Sequence, residues 1–401
     1  MHFMTFDLDP TDPLALTTAL VQAPSVTPDA GEALGLVEAW ALQLGGRVVR
    51  LPRGEVENLY IRFGEGKPNL CFGGHVDVVP VGNPDDWSVP PFSATLRDGW
   101  LIGRGSEDMK SGVACWMAAM ARELGEPEQA KALLSRINLS LIITGDEEGP
   151  AIDGTLAVVD WIKQTGEQVH SCLVGEPTNP QALGDAIKVG RRGSLSAFIT
   201  VTGTQGHAAY PHRANNPVHP LLAALADLAA LEFDQGTQHF DASSLQVVTV
   251  DVGNPATNVI PAQASATLNV RFNDCHSAQS LQALIRSTLA KYCEPVGVDV
   301  QIDWQANADA FLCPPESFAH LIAEACEKVT GRRPEYSTSG GTSDARFIKD
   351  IANVAEFGLV GRTMHQVDER IEVKDLEVLT KVYGAVIKEF AASMDKEADE
   401  A

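Results

Sequence analysis

Residues 137–150 read INLSLIITGDEEGP: a strand-like apolar run, Ile137 to Thr144, ends directly in three adjacent acids, Asp146, Glu147 and Glu148. Three carboxylates at the mouth of a buried strand repel one another, so something of opposite charge must hold them there. Two other apolar runs end in the same way. The run closing on Leu70-Cys71-Phe72 enters GGHVDVVP, which supplies His75 and Asp77, and Cys172-Leu173-Val174 enters Gly175-Glu176-Pro177. Taken singly, each is ordinary: a lone histidine by a strand is often a structural one, and a Glu-Glu pair is often a solvated turn. In open α/β sheets, however, ligands gather outside the carboxyl ends of the strands, so three strands sharing this pattern bring their polar ends to one place.

The acidic strand ends contain no Lys or Arg, which leaves a bound cation as the natural counter-charge. Imidazole and carboxylate donors without thiolate point to zinc, with cobalt or manganese as alternatives. Asp77, two residues beyond His75, is placed either to accept the second ring N–H of that histidine or to serve as a turn residue. Asp108, in GRGSEDMKSG, reads either as a further ligand or as the N-cap of the helix that follows, and His365 lies in TMHQVDE after an apolar strand. Asp146 reads as a turn or helix-start residue.

Strands and helices alternate through residues 1–190, which predicts an α/β domain with a mainly parallel sheet. An α+β pattern occupies 191–305, and the α/β style resumes over 306–401 with helices at 316–330 and 373–392. A smaller domain is therefore expected as an insertion into the larger one. With 30 basic and 53 acidic residues the net charge is −23, which argues against nucleic acid and anionic membranes as partners. Seven cysteines without a CxxC pair argue against a disulfide framework or a thiolate zinc knuckle. The first residues, MHFMTFDLDP, lack a basic segment followed by an apolar one, and the stretch Val218–Phe233 is too interrupted to span a bilayer. A soluble, cytosolic protein is expected.

Taken as a set, GGHVDVVP, GRGSEDMKSG, TGDEEGP, GEPT, SGGTSD and TMHQVDE resemble, in order and across nearly the whole chain, the di-zinc amidohydrolase family of aminoacylases, acetylornithine deacetylases, glutamate-releasing carboxypeptidases and desuccinylases. KVGRRGSL (188–195), GTQGHAAYPH (203–212), TNVIPA (257–262) and STSGGTSDARF (337–347) look most like the branch acting on N-succinyl-diaminopimelate. The resemblance implies two Zn²⁺ per subunit, with Co²⁺ an alternative in one site. It makes His75, Asp108 and Glu176 ligands of one ion and Asp108, Glu148 and His365 ligands of the other, with Asp108 bridging and a cis peptide at Asp108–Met109. Two such ions bring +4 against −3 from Asp108, Glu148 and Glu176, which would hold the acids of the opening stretch in place. The resemblance further implies that Glu147 is the general base for a water shared by the metals, with Asp77 a further catalytic residue, and that the inserted domain is a lid and dimerisation domain. His207 would then be donated across a homodimer. Lys188, Arg191, Tyr210, Asn258, Arg271, Gly341 and Thr342 would bind a dicarboxylate amide substrate. The implied reaction is cleavage of N-succinyl-LL-2,6-diaminopimelate to succinate and LL-2,6-diaminopimelate. Acetylornithine deacetylation or general N-acyl-amino-acid hydrolysis is the alternative within the family, and a non-catalytic metal-bearing protein the alternative outside it.

Overall fold

The computed structural model describes residues 6–314 and 318–400, so the start of the expected 316–330 helix and the first five residues of the chain lie outside the described residues. The strands of its two main sheets are, in chain order, β1 (Arg47–Arg50), β2 (Asn58–Phe63), β3 (Asn69–His75), β4 (Asn138–Thr144), β5 (Ser171–Val174), β6 (Ala186–Lys188), β7 (Gly193–Thr202), β8 (Ser244–Asp251), β9 (Gln263–Phe272), β10 (Asp299–Ala308), β11 (Glu335–Ser337) and β12 (Asn353–Glu356). The chain forms two compact units, one of residues 1–189, 313–337 and 343–401, the other of 190–312 and 338–342. The expected boundary at 305 falls inside β10. That strand pairs with β7 as far as Ala308, and Phe311 and Leu312 then pair with Arg191 and Gly190, which keeps the chain in the smaller unit to Leu312.

In the larger unit the sheet order is β1-β2-β4-β3-β5-β12-β6-β11. The neighbours β4, β3, β5 and β12 run parallel, while β1, β2 and the β12–β6 pairing are antiparallel. Parallel strands are covered on both faces, which is why these segments read as nearly continuous apolar runs. All seven residues of β4 and all four of β5 are buried. Register then fixes the site. His75 pairs with Thr144, and Gly73 with Val174, so the residues that follow each strand leave the sheet at nearly one level.

A helix apolar on every side belongs inside a protein, and Ser111–Leu124 is such a helix, with Val113, Cys115, Trp116, Met117 and Met120 all buried. Trp116 stacks on Phe72 of β3 at 5.0 Å and meets Tyr383 of the terminal helix Val373–Glu400 at 5.4 Å. The Tyr383 hydroxyl donates to the Phe357 carbonyl at 2.7 Å, tying that helix to the end of β12. The start of the Ser111–Leu124 helix can reach the end of β5 only because residue 112 is glycine: a Cβ there would lie 2.5 Å from the Gly175 carbonyl oxygen. Asp108, just ahead of this helix, is thereby held at the strand ends, and its peptide to Met109 is cis.

The smaller unit is an antiparallel sheet, β8-β9-β7-β10, with helices Val218–Ala229 and Ala278–Cys293. Alternate residues of β7 (Leu195, Ala197, Ile199, Val201) meet Leu281, Ile285 and Leu289, spaced four apart on the second helix, in one core. The first helix begins at Val218, directly after Pro217, because Ala214 and Asn215 are extended or bridged.

Gly112→Ala should lower stability by about 1–3 kcal/mol through overpacking, even though alanine is favoured over glycine in a helix by about 1 kcal/mol. Urea unfolding of the two proteins checks this; a midpoint equal to or above that of the parent would remove the close-approach role of Gly112.

Candidate metal centre

His75, Asp108, Glu147, Glu148, Glu176 and His365 come together in the larger unit at the strand ends. His75 Nδ1 lies 2.9 Å from the Asp77 main-chain carbonyl, and a carbonyl can only accept, so Nδ1 carries the proton and Nε2 is directed into the cluster. There Nε2 is 3.2 Å from Asp108 Oδ1 and 3.7 Å from Glu176 Oε1. The other Asp108 oxygen, Oδ2, is 3.5 Å from His365 Nε2, which is 2.9 Å from Glu148 Oε1. One carboxylate thus faces two imidazoles, one with each oxygen. Two ligand triads result, His75/Asp108/Glu176 and Asp108/Glu148/His365, and a third grouping joins His75, Glu147 and Glu148; within each, donor atoms lie within 4.8 Å of one another.

Of the two tasks its spacing allows, the Asp77 carboxylate does not accept the ring N–H of His75, which goes to the Asp77 main-chain carbonyl. Its carboxylate stands 3.6 Å from His75 Nδ1 and instead accepts the amides of Glu147 (3.2 Å) and Glu148 (3.0 Å), pinning the acidic turn against the end of β3. Asp146 turns away from the cluster and accepts the amides of Ile152 and Asp153 at 3.0 and 3.1 Å. It closes the loop that leads into the helix Thr155–Thr165, a turn role as expected.

Four supporting residues, Glu369, Arg104, Glu107 and Thr363, have no sequence signal beyond their charge or hydroxyl. Glu369, fully buried, accepts the amides of Gly105 (3.1 Å), Glu107 (2.8 Å) and Asp108 (3.1 Å), together with the guanidinium of Arg104 (2.8 Å). Arg104 also donates to the carbonyls of Gln366 (3.2 Å) and His365 (3.4 Å). Glu107 accepts the amide of Thr363 at 2.8 Å and its hydroxyl, fastening the His365 loop to the residue before Asp108. His365 itself has φ +62°, a left-handed conformation unusual for a residue with a side chain.

Crowding of the acids shifts the protonation of the cluster. Burial raises the Glu176 carboxyl well above its ordinary value, with Asp108 adding to the effect, and burial likewise raises Glu147, with Asp344 and Glu148 adding. His365 is raised to about 10 by its hydrogen bonds to Asp108 and Glu148. Burial opposes protonation of His75, but Asp108 and Glu176 overcome it and raise the imidazole. Among the described residues no Lys or Arg pairs with Asp108, Glu148 or Glu176. Two imidazole and three carboxylate donors, with one carboxylate shared, fit a pair of divalent cations.

The other predicted residues are placed as follows. Lys188 Nζ donates to Ser337 Oγ at 2.9 Å in the larger unit. In the smaller unit His207 pairs with Val259, the Ala208 amide donates to the Asn258 carbonyl at 2.9 Å, and the His207 and Tyr210 rings are 5.5 Å apart, so His207, Tyr210 and Asn258 share one exposed neighbourhood. Arg191 donates to the Gly341 carbonyl at 3.1 Å, in the segment that also carries Thr342. Arg271, half-buried on β9, is made less basic by burial and by the charge of neighbouring Arg192.

Residues 71–389 match the model of peptidase family M20/M25/M40. A succinyl-diaminopimelate desuccinylase of Rhodospirillum rubrum is 52% identical over 387 residues, covering 94% of this chain and 98% of the relative. Among solved structures, an M20 metallo-carboxypeptidase of Sulfolobus solfataricus is similar with a TM-score of 0.78 at 17% identity, over 96% of this chain and 100% of that one. A dinuclear metal-binding M20 peptidase of Bacillus subtilis has a TM-score of 0.69 at 15% identity, over 94% and 97% of the two chains. These structures establish the fold.

Ligation requires free lone pairs on groups that hold protons tightly here, so metal binding must release protons. His365 stays protonated up to about 10, and apparent metal affinity should therefore rise steadily with pH between about pH 6 and 8. Chelator competition across that range, with proton release read from buffer-dependent heats, checks it, and a pH-independent affinity contradicts it. Glu369→Gln turns one acceptor oxygen into a donor facing main-chain N–H groups and should weaken metal binding by about 10–100-fold; unchanged affinity would show that the loop holds Asp108 without it.

Proposed function

This chain belongs to peptidase family M20/M25/M40, and from that premise we propose that it hydrolyses N-succinyl-LL-2,6-diaminopimelate to succinate and LL-2,6-diaminopimelate. The observation that carries the reading is 52% identity to a succinyl-diaminopimelate desuccinylase along nearly the full length of both chains. The gathered ligand set supports it as the site of a metal-dependent hydrolase.

The metals of this reading are two Zn²⁺ held by His75, Asp108, Glu176, Glu148 and His365, with Co²⁺ able to replace one. When bound, such a pair polarises the amide carbonyl and lowers the pKa of water. The remaining work falls to side chains. Glu147 is partly buried beside His75 and Glu148, and it accepts a proton from the water whose oxygen adds to the succinyl carbonyl carbon. It returns that proton to the nitrogen as the carbon–nitrogen bond breaks. Asp77 keeps Glu147 in position through its amide.

Succinyl and diaminopimelate carboxylates call for cations in a strongly acidic protein. Arg271 and Arg192 stand close together with no acidic partner for Arg271 among the described residues, an arrangement suited to an anion, and Arg191 with Gly341 and Thr342 forms a second polar stretch. Arginine binds carboxylate in a bidentate manner, and leaving such a group unpaired costs about 1–3 kcal/mol. Lys188, Tyr210 and Asn258 complete the proposed substrate contacts. We place His207 as an oxyanion donor contributed by the partner subunit of a homodimer, with the smaller unit serving as lid and dimerisation domain. The exposure of His207 accords with that role. A cytosolic location belongs to the same reading; no helix of the described residues is long and apolar enough to cross a membrane.

Turnover of N-succinyl-diaminopimelate should exceed that of its N-acetyl counterpart by at least tenfold, the ratio that about 1.4 kcal/mol of lost carboxylate recognition produces. Equal rates, or a preference for the acetyl compound, would move the chain to another branch of the family. Glu147→Ala should lose several orders of magnitude in turnover while keeping its metal; an active variant would remove Glu147 from the chemistry.

A further inference from the structure

The larger unit contains a cavity of about 210 Å³ beside the His365 loop, bounded by Trp100, strand Arg370–Glu372, the start of the terminal helix and residues 359–363. We propose that it is a binding site for a small zwitterion of the α-amino-acid type with an apolar side chain. The size fits: about 210 Å³ accommodates a molecule of that class and lies below the roughly 300 Å³ from which pockets for drug-sized ligands run.

The walls set the chemical class. Trp100, Leu359 and Ile371 give an apolar floor, and the four charged side chains on the lining are two cations, Arg362 and Arg370, and two anions, Glu372 and Asp375. Their formal charges cancel. A net anion or cation would meet an opposing charge of its own sign, whereas a molecule with one pole of each finds a partner for both. Glu372 is already engaged by Lys374, and the Arg370 guanidinium lies over the Trp100 ring, 5.3 Å from its centroid. Asp375, half-buried, has no hydrogen-bond partner among the described residues, and Arg362 lines the same cavity with one guanidinium nitrogen, Nη2, donating to the Gln181 carbonyl. The ammonium group is therefore assigned to Asp375 and the carboxylate to Arg362.

Occupancy would be felt at the metal centre. Thr363 lines the cavity, and its amide and hydroxyl are the groups that hold Glu107, the residue before Asp108. A ligand resting on Thr363 orders the same loop that carries His365 two residues on.

The test uses the metal-loaded full-length protein and L-leucine as the probe, with 4-methylpentanoate and isoamylamine as analogues that each lack one pole. Calorimetric titration should show saturable binding of leucine, with at least tenfold weaker binding of either analogue. Hydrogen exchange should slow across residues 359–375 when leucine is bound. Asp375→Asn should weaken leucine binding at least tenfold and abolish that protection, and Arg362→Gln serves in its place if the first variant does not fold. No binding up to the solubility of leucine would overturn the proposal. So would binding unchanged in the folded variant, which would place leucine elsewhere, including at the metals, or equal binding of a one-pole analogue.

Discussion

Asp108 presents one carboxylate oxygen to each of two histidines drawn from opposite ends of the chain, His75 at the end of β3 and His365 near the C-terminus. Everything around the centre bears on keeping that carboxylate where it is. Glu148 and Glu176 crowd it with like charge, and in a partly buried setting such a cluster is stable only with positive charge inside it. Protons can supply that charge, which is why the imidazoles and the Glu176 carboxyl are raised. A pair of divalent ions supplies it better and frees the lone pairs for ligation.

The backbone that brings these groups together is held by acids that are not ligands. Asp77 fixes the Glu147–Glu148 turn through its amides, Glu369 fixes the loop before Asp108, and Glu107 fixes Thr363 and with it the His365 loop. Each accepts main-chain N–H groups that would otherwise be buried without partners, and a carboxylate accepting several such bonds makes a stiff joint. The parallel register of β3, β4 and β5 sets the level of the site, and the Gly112–Gly175 contact brings Asp108 to it.

Much of this could be read from the chain. The strands were visible because burial on both faces leaves continuous apolar runs, and the candidate ligands because His, Asp and Glu repeat at three strand ends. That Asp108 and His365 join them came from resemblance to a family, since no local spacing connects residues so far apart in sequence. The supporting acids Glu107 and Glu369 could not be read: an acid that accepts main-chain amides from a loop more than two hundred residues away along the chain looks like any surface glutamate. Asp77 was legible as important but not in its task, because its main-chain carbonyl, at 2.9 Å, takes the ring N–H of His75 while the carboxylate serves the next turn. Strand β10 carried alternating Val300, Ile302 and Trp304, yet the polar residues between them hid its edge position and with it the true end of the smaller unit.

The shared Asp108 carboxylate is most directly tested by anomalous diffraction at the zinc edge from crystals of the zinc-loaded protein. The account predicts two peaks in each subunit, one flanked by His75 and Glu176, the other by Glu148 and His365, with Asp108 between them. A single peak, or two peaks that do not both contact Asp108, would contradict it.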